Sequence, residues 1–222
     1  MRKEIDAVAF DLDGTLYPNY RFYIRLVPFI IRRHRLLRAM GKARDALREA
    51  AHEGRFYDIQ ARIMAEILKD DPERIQEQTE RLIYRGWEPL FKDLKLFPHV
   101  RETLTAFKND GLKLGLLSDF PPERKLEYMK LSDYWDTILC SEHTGRLKPD
   151  PAPFDRLARE LNTDPERILY VGNSVSYDIK GAKAFGMHAA LIRPAGKLAG
   201  IRAAGADFIF SDYRQLCTYV LT

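Results

Sequence analysis

The stretch Phe10-Asp11-Leu12-Asp13-Gly14-Thr15-Leu16 follows a run of apolar residues near the start of the 222-residue chain. Residues 5–10 are typical of a buried strand, so Asp11 and Asp13 stand where it ends and point to the same side. Gly14 permits the sharp turn that must follow. One carboxylate here can act as a nucleophile, and the other can give and take a proton. A capped turn or a fragment of a calcium-binding loop could contain the same residues. The glycine and glutamate of an EF-hand do not follow at the required positions, which argues against a calcium-binding loop.

Downstream of this stretch, strand and helix patterns alternate with short connections. We predict six strands, at residues 5–10, 112–117, 137–140, 168–171, 188–192 and 208–210. We predict intervening helices at residues 100–109, 123–130, 153–161, 179–185 and 213–221. This order indicates the α/β class and a doubly wound parallel sheet, with its binding crevice at the carboxyl ends of the strands.

Residues 18–95 break the alternation, because they carry helical periodicity over about 21–51, 56–70 and 72–86 and hold no strand candidate. We interpret residues 18–95 as an all-helical cap domain inserted into an α/β core domain formed by residues 1–17 and 96–222. Proline-containing pairs at 18–19 and 97–98 mark the expected hinges. Such a cap is expected to lie over the crevice of the sheet.

Three further polar motifs sit at or just beyond the ends of predicted strands. Ser118 and Asp119 end the second strand, where a hydroxyl and the following backbone N–H groups can hold phosphate oxygens. Lys148 lies on a proline-bounded turn before a helix, and the run from Val171 to Asp178 ends the fourth strand. Singly, such residues are often caps or solvated charges, but their joint appearance at successive strand ends predicts one shared site.

These four elements, in this order, resemble the four motifs of the haloacid dehalogenase-like superfamily, and the helical insertion resembles its type-1 cap. The resemblance spans essentially the whole chain. The segments LSDF (117–120), GRLKPDPAPF (145–154) and DIKGAKAFGM (178–187) resemble the phosphatase-like members. The resemblance implies a Rossmann-like core and a Mg²⁺-dependent phosphohydrolase that cleaves a small phosphomonoester through an aspartyl phosphate.

The resemblance also implies a role for each matching residue. Asp11 is the expected nucleophile and a metal ligand, and Asp13 is the expected general acid and base that gives its backbone carbonyl to the metal. The remaining roles are phosphate binding for Thr15, Ser118 and Asp119, charge balance beside the phosphate for Lys148, and metal binding for Asn173 and Asp178. A divalent cation and one lysine are what allow so many negative groups to converge.

One departure is the pair Gly172-Asn173, where the superfamily usually has Gly-Asp. An amide oxygen coordinates Mg²⁺ without bringing charge, so we expect weaker metal binding; the bolder interpretation is a metal-free enzyme or an inactive relative. A 2-haloacid dehalogenase shares the aspartyl nucleophile and needs no metal, but its relatives generally lack the acid corresponding to Asp13. A phosphotransferase of the mutase kind would keep the same residues, and a non-catalytic binding scaffold is the remaining alternative.

The composition, with 45% hydrophobic and 31% charged residues, is that of a soluble globular protein. We find no signal peptide and no apolar run of 18 residues, and we expect a cytoplasmic location. Cys140 and Cys217 form no cluster with each other or with histidines, so we expect free thiols in a reducing compartment.

The net charge of +4 comes from residues 18–95, which hold 17 Lys and Arg against 12 Asp and Glu. Residues 14–44 contain no acid at all. This predicts an amphipathic cap helix with a solvated basic face; a polyanionic substrate or transient contact with an anionic membrane are the alternatives. We expect a small phosphorylated metabolite as partner and no nucleic acid, since no binding motif accompanies the charge. Tyr84 and Trp87 are expected to pack against the core, or else to line the cleft.

Overall fold

A computed structural model describes residues 4–50, 52–193 and 205–222; residues 1–3, 51 and 194–204 of the predicted domains lie outside it. Six parallel strands form one sheet in the order β3-β2-β1-β4-β5-β6, which confirms the predicted doubly wound α/β fold. The strands are β1 (Ala7–Phe10), β2 (Lys113–Ser118), β3 (Thr137–Cys140), β4 (Ile168–Gly172), β5 (His188–Ile192) and β6 (Phe208–Phe210).

Strand β1 lies at the centre of the sheet, and both of its faces are covered. Val8 and Phe10 join the apolar cluster on one face, while Ala7 and Ala9 join the cluster on the other. All four residues are fully buried, as expected for a parallel strand between two helical layers. The helices of this part of the chain are α5 (Val100–Asn109), α6 (Glu123–Met129), α7 (Pro151–Leu161), α8 (Lys180–Ala184) and α9 (Tyr213–Leu221).

The two helical layers are divided in a regular way. Helices α5 and α9 pack against each other on the Val8 face, through side chains such as Leu104 and Leu216. Helices α7 and α8 cover the opposite face, where α7 packs against β2 and β3 and α8 packs against β5. The two cysteines are free thiols, as expected; Cys140 is buried and Cys217 is partly buried.

The predicted helical insertion between β1 and β2 is confirmed, and we call it the cap. It consists of α1 (Asn19–Glu49), α2 (Phe56–Leu68), α3 (Pro72–Thr79), a π-helical turn (Glu80–Tyr84), the short α4 (Arg85–Trp87) and a 3-10 turn (Glu88–Phe91). Its own apolar cluster includes Met40, Met64 and Ile83. The helix predicted at 72–86 is therefore interrupted after Thr79, where the backbone bonding widens to the π pattern. The boundaries 18 and 95 stay an interpretation.

Helix α1 differs from the predicted amphipathic helix in its first half. Pro28 lies inside it and Arg33 departs from helical geometry, so the axis is kinked. Before the kink only Phe22 and Leu26 among the apolar side chains are buried, and Ile24 and Ile31 are 66% and 72% exposed. Among the described residues, no helix is long and apolar enough to cross a membrane. Contact of α1 with an anionic membrane stays a prediction.

The C-terminal helix holds the loop that follows β1. The hydroxyl of Tyr213, the first residue of α9, donates to the backbone carbonyl of Thr15 at 2.7 Å, and both residues are fully buried. On the other side of the same loop, the backbone N–H of Phe97 donates to the carbonyl of Leu16 at 2.9 Å. The chain directly after Asp13 is thus fixed from two distant parts of the sequence.

Tyr213→Phe is expected to lower the free energy of unfolding by about 1–2 kcal/mol, because it leaves the buried Thr15 carbonyl without this donor. Urea denaturation followed by circular dichroism measures the change. Tyr20→Phe, at a 58% exposed position, serves as the control and should leave stability unchanged. Equal stability of the two variants would contradict the structural role given to this hydrogen bond.

Candidate active site

The carboxyl ends of β1, β2 and β4 bring the predicted motifs together. Asp11 continues the β1 ladder, since its N–H donates to the carbonyl of Val171 at 2.9 Å. One carboxylate oxygen of Asp11 accepts from Lys148 Nζ at 2.8 Å, and the other accepts from Thr15 Oγ1 at 2.7 Å. The predicted nucleophile is therefore held at both oxygens inside a nearly closed environment.

Lys148 is the most connected cation of the site and only 2% exposed. Its ammonium donates to Oδ1 of Asp11 and Oδ1 of Asp178, each at 2.8 Å, and to the Tyr170 hydroxyl at 3.1 Å. Burial favours the neutral amine, yet the two carboxylates outweigh it and raise the pKa of Lys148 well above its ordinary value. Lys148 is a permanent cation shared by two acids.

The surroundings of Asp11 act on its pKa in opposite directions. Burial raises its pKa to about 7, the Lys148 ammonium works in the opposite direction, and the nearby Asp178 carboxylate adds to the rise. An acid in a desolvated pocket beside a cation is a typical arrangement for a reactive carboxylate.

Gly172 makes room for Asp178. A Cβ atom at position 172 would lie 2.3 Å from the Cβ of Asp178, so no larger residue fits there. Asp178 in turn accepts at Oδ2 from the backbone N–H groups of Asn173, at 3.1 Å, and Ser174, at 2.9 Å. The glycine of this motif thus allows the acid to fold back over the strand end and reach Lys148.

The first and fourth motifs touch at Gly14. Its φ of +87° lies in the left-handed region, and a Cβ atom there would lie 2.0 Å from Nδ2 of Asn173. The backbone carbonyl of Asn173 accepts from Arg193 at 2.7 Å. Asn173 therefore lies against the loop that carries Asp11 and Asp13, and metal binding by Asn173 stays a prediction.

Asp13 has two partners that the sequence did not reveal. Its carboxylate accepts from Lys125 Nζ at 2.6 Å and from the hydroxyl of Tyr17. Lys125 is supplied by α6, more than a hundred positions along the chain, so no local pattern marks it. Tyr17 follows Asp13 by four residues and forms a β-bridge with it, which is a spacing that could have suggested the contact.

The two polar residues of the second motif, Ser118 and Asp119, have different hydrogen-bond partners. Ser118 is fully buried, and its hydroxyl accepts from the N–H of Phe120 at 3.2 Å. The Asp119 carboxylate accepts from Ser141 at 2.6 Å and from Arg48 of the cap at 2.9 Å. Burial opposes ionisation of Asp119, but nearby cations, Lys148 first among them, hold its pKa below the usual range. The carboxylate is thus engaged by the protein itself, and phosphate binding at Asp119 stays a prediction.

The predicted metal ligands offer only oxygen donors. Across the described parts of the chain, no group of three or more His, Cys, Asp and Glu side chains could hold a metal ion. The donors available are the carboxylates of Asp11 and Asp178, the amide oxygen of Asn173 and the backbone carbonyl of Asp13. This set fits the oxygen preference of Mg²⁺, although it carries less charge than a three-carboxylate site.

A buried ion pair joins the cap to the core. Arg44 of α1 pairs with Glu142, which follows β3, and both side chains are at most 6% exposed. The hydroxyls of Tyr57 and Tyr84 in the cap each donate to Glu142 at 3.0 Å. Burial raises the pKa of Glu142 and Arg44 opposes the rise. We call these four residues the latch; neither their spacing nor any motif indicated it.

Between cap and core lies a cleft of about 810 Å³ that contains Asp11, Asp13 and Lys148. Trp87 packs against the apolar cluster of the core, as expected, and both Tyr84 and Trp87 pack against the cap's apolar cluster and line this cleft. The site therefore has one charged end, at the strand termini, and a wall supplied largely by the cap.

The family of haloacid dehalogenase-like hydrolases matches residues 5–186. The chain belongs to this family. Phosphoglycolate phosphatase of Escherichia coli (strain K12) is 28% identical to this hydrolase over 202 residues, which cover 83% of the chain and 79% of that relative.

Solved structures of both chemical kinds share the fold of this hydrolase. A HAD phosphatase from Thermococcus onnurineus superposes with a TM-score of 0.66 at 23% identity, covering 98% of each chain. A 2-haloacid dehalogenase from Pseudomonas syringae pv. Tomato DC3000 gives a TM-score of 0.66 at 25% identity, covering 97% of this hydrolase and 98% of that chain. Family membership thus establishes a hydrolase and leaves two reactions to compare.

The raised pKa of Asp11 predicts how the stability of this hydrolase changes with pH in the presence of chelator. A folded-state pKa of about 7 against an ordinary 3.8 means that Asp11 stabilises the fold at low pH, and that this contribution is lost as pH rises through 7. The Tm of the wild type should therefore fall relative to that of Asp11→Asn by at least ~2 °C between pH 5 and pH 8. Thermal unfolding at both pH values measures it, and a Tm difference independent of pH would contradict the assignment.

Proposed function

We propose that this chain is a Mg²⁺-dependent phosphohydrolase that cleaves a small phosphomonoester through a phosphoaspartate at Asp11. The observation that carries the proposal is the second acid: Asp13 lines the same cleft as Asp11 but has its own partners, Lys125 and Tyr17. Two carboxylates in separate settings suit two separate tasks, one covalent and one in proton transfer.

In the first step, a carboxylate oxygen of Asp11 attacks phosphorus, and the bond between phosphorus and the alcohol oxygen breaks. Asp13 gives its proton to the departing oxygen, so that an alcohol leaves and the carboxylate of Asp13 remains. Thr15, bonded to Asp11 at 2.7 Å, fixes the orientation of the attacking group.

In the second step, Asp13 takes a proton from a water molecule, whose oxygen attacks phosphorus. The bond between Asp11 and phosphorus breaks, inorganic phosphate leaves, and both acids return to their starting forms. Asp13 thus acts first as an acid and then as a base, which requires that it reach both the leaving oxygen and the entering water.

The main catalytic task is to stabilise negative charge on the phosphoryl group in transit. Lys148 supplies one fixed positive charge, and Ser118 with the backbone N–H groups beyond β2 is proposed to hold phosphoryl oxygens. Mg²⁺ held by Asp11, Asp178, the Asn173 amide and the Asp13 carbonyl would supply the remaining positive charge.

A 2-haloacid dehalogenase is the second candidate, and one observation favours it. The described residues bring no three-acid cluster to the site, and Lys148 already neutralises Asp11 and Asp178. In that reaction Asp11 would attack carbon and displace halide, and no leaving group would need a proton. Asp13 and its two partners would then have no task, which is why we place the phosphohydrolase first. A mutase-type phosphotransferase would use the same residues and release no free phosphate.

Asp11→Asn is expected to abolish phosphate release, because the neutral amide cannot attack phosphorus; the loss should exceed ~10³-fold. The measurement is inorganic phosphate liberated from a panel of phosphomonoesters across a Mg²⁺ titration, with a chelator control. Asp155→Asn, on the outer side of α7, serves as the matched control and should retain full activity. Chloride release from 2-chloropropionate without phosphate release from any ester would favour the dehalogenase instead.

Asn173→Asp is expected to tighten Mg²⁺ binding about tenfold, because it replaces a neutral ligand by a charged one. Isothermal titration calorimetry with Mg²⁺ alone gives the affinity directly. Asn109→Asp, at the exposed end of α5, adds the same charge far from the site and should leave the affinity unchanged. An Asn173→Asp variant with unaltered or weaker binding would remove this position from the proposed metal site.

A further inference from the structure

The cleft is far larger than a two-carbon substrate needs. Its volume of about 810 Å³ lies within the roughly 300–1,000 Å³ typical of clefts that bury a drug-sized ligand. Phosphoglycolate, the substrate in the name of the Escherichia coli relative, would occupy only the charged end beside Asp11. The rest of the cleft therefore calls for a larger leaving group.

A continuous row of aromatic rings lines that remaining space, and we call it the aromatic wall. Neighbouring ring centroids along it lie between 4.7 and 6.3 Å apart. The wall consists of Tyr84, Phe120, Trp87, Phe22, Phe91 and Tyr17, all of which line the cleft; the first three are half-buried, and the last three are at most 8% exposed. Aromatic rings prefer offset or edge-to-face contact with other rings, so such a wall favours a flat, ring-bearing ligand.

The wall begins at the acid that serves the leaving group. Tyr17, at one end of the row, donates its hydroxyl to Asp13. Lys125, the other partner of Asp13, lies over the rings of Phe91 and Phe120, with its Nζ 4.8 and 5.4 Å from the centroids. An alcohol whose oxygen is at Asp13 therefore has the aromatic wall directly beyond it.

The cations of the cleft are already paired with acids. Arg48 bonds Asp119 at 2.9 Å, Arg85 bonds Glu80 at 2.8 Å, and Lys125 bonds Asp13 at 2.6 Å. The two others are Arg124, which pairs with Glu88 and Glu127, and Lys148, which pairs with Asp11 and Asp178. Among the described residues that line the cleft, seven Asp and Glu outnumber five Lys and Arg, so a second anionic group such as the carboxylate of phosphoglycolate is disfavoured there.

On the basis of the proposed phosphohydrolase function, we infer that the preferred substrates are phosphomonoesters of alcohols that carry an aromatic ring and no carboxylate. The phosphate lies at Asp11 and Lys148, the leaving oxygen at Asp13, and the ring along the aromatic wall. This distinguishes the chain from the phosphoglycolate phosphatases to which its sequence is similar.

The test compares esters whose leaving alcohols have similar acidity, so that differences in rate report binding. With the full chain and Mg²⁺, kcat/KM for 2-phenylethyl phosphate should exceed that for ethyl phosphate and for phosphoglycolate at least tenfold. Trp87→Leu should reduce the ratio of 2-phenylethyl to ethyl phosphate at least threefold, chiefly through KM. Tyr20→Leu, outside the cleft, should leave that ratio unchanged. A preference for phosphoglycolate, or an unaltered ratio in Trp87→Leu, would overturn the inference.

Direct binding separates this inference from the proposed function. 3-Phenylpropylphosphonate and 3-phosphonopropionate are the non-hydrolysable counterparts of 2-phenylethyl phosphate and phosphoglycolate. Calorimetry should show at least tenfold tighter binding of the phenylpropyl compound, whether or not any ester is hydrolysed. Tighter binding together with no phosphate release from any ester or from acetyl phosphate would reject the phosphohydrolase and keep the ring-binding cleft. Equal or weaker binding of the phenylpropyl compound would reject the ring-binding cleft itself.

Discussion

The Lys148 ammonium, placed between the buried carboxylates of Asp11 and Asp178, is the interaction on which the rest of the site depends. Two carboxylates this close and this deeply buried would repel each other strongly, and burial would favour protonation of both. With Lys148 shared between them, the ends of β1 and β4 can meet beneath the turn that begins α7. These ion pairs fix the positions of the three side chains more than they stabilise the fold. Much of the attraction in a buried ion pair only offsets the cost of removing its charges from water.

Most of the fold could be predicted from the sequence, since burial on both faces gives the parallel strands short apolar runs that stand out between helices. Strands β3, β5 and β6 lie where expected, and the others shift by one or two residues at an end. The cap was harder. Helical periodicity located α1, but which of its apolar residues would be buried depended on a kink at Pro28 and Arg33 and on the packing of α2 against its second half.

The four motifs were predictable because each occupies a strand end, and strand ends converge in a parallel sheet. The structure brings Asp11, Thr15, Lys148 and Asp178 into direct contact and places Asn173 against Gly14. Lys125 and the latch were not predictable, because a lone lysine on a helix or a glutamate after a strand has no meaning until its distant partner is known. Even the Asp119 carboxylate, which sits in a recognisable motif, acquires its partners from the cap and from Ser141.

The latch joins the cap to the core through charged and hydroxyl groups, although an apolar contact could also have joined them. Any opening of the cap returns Arg44 and Glu142 to water, and their hydration compensates for much of the attraction that is lost. An apolar contact of equal area would gain no favourable hydration when the cap opens, because exposing apolar surface to water only costs free energy. The latch therefore fixes the geometry of the closed cap without making the free energy of opening large. The cap is thereby held against the core in one arrangement, yet its separation costs less free energy than the opening of an apolar contact would.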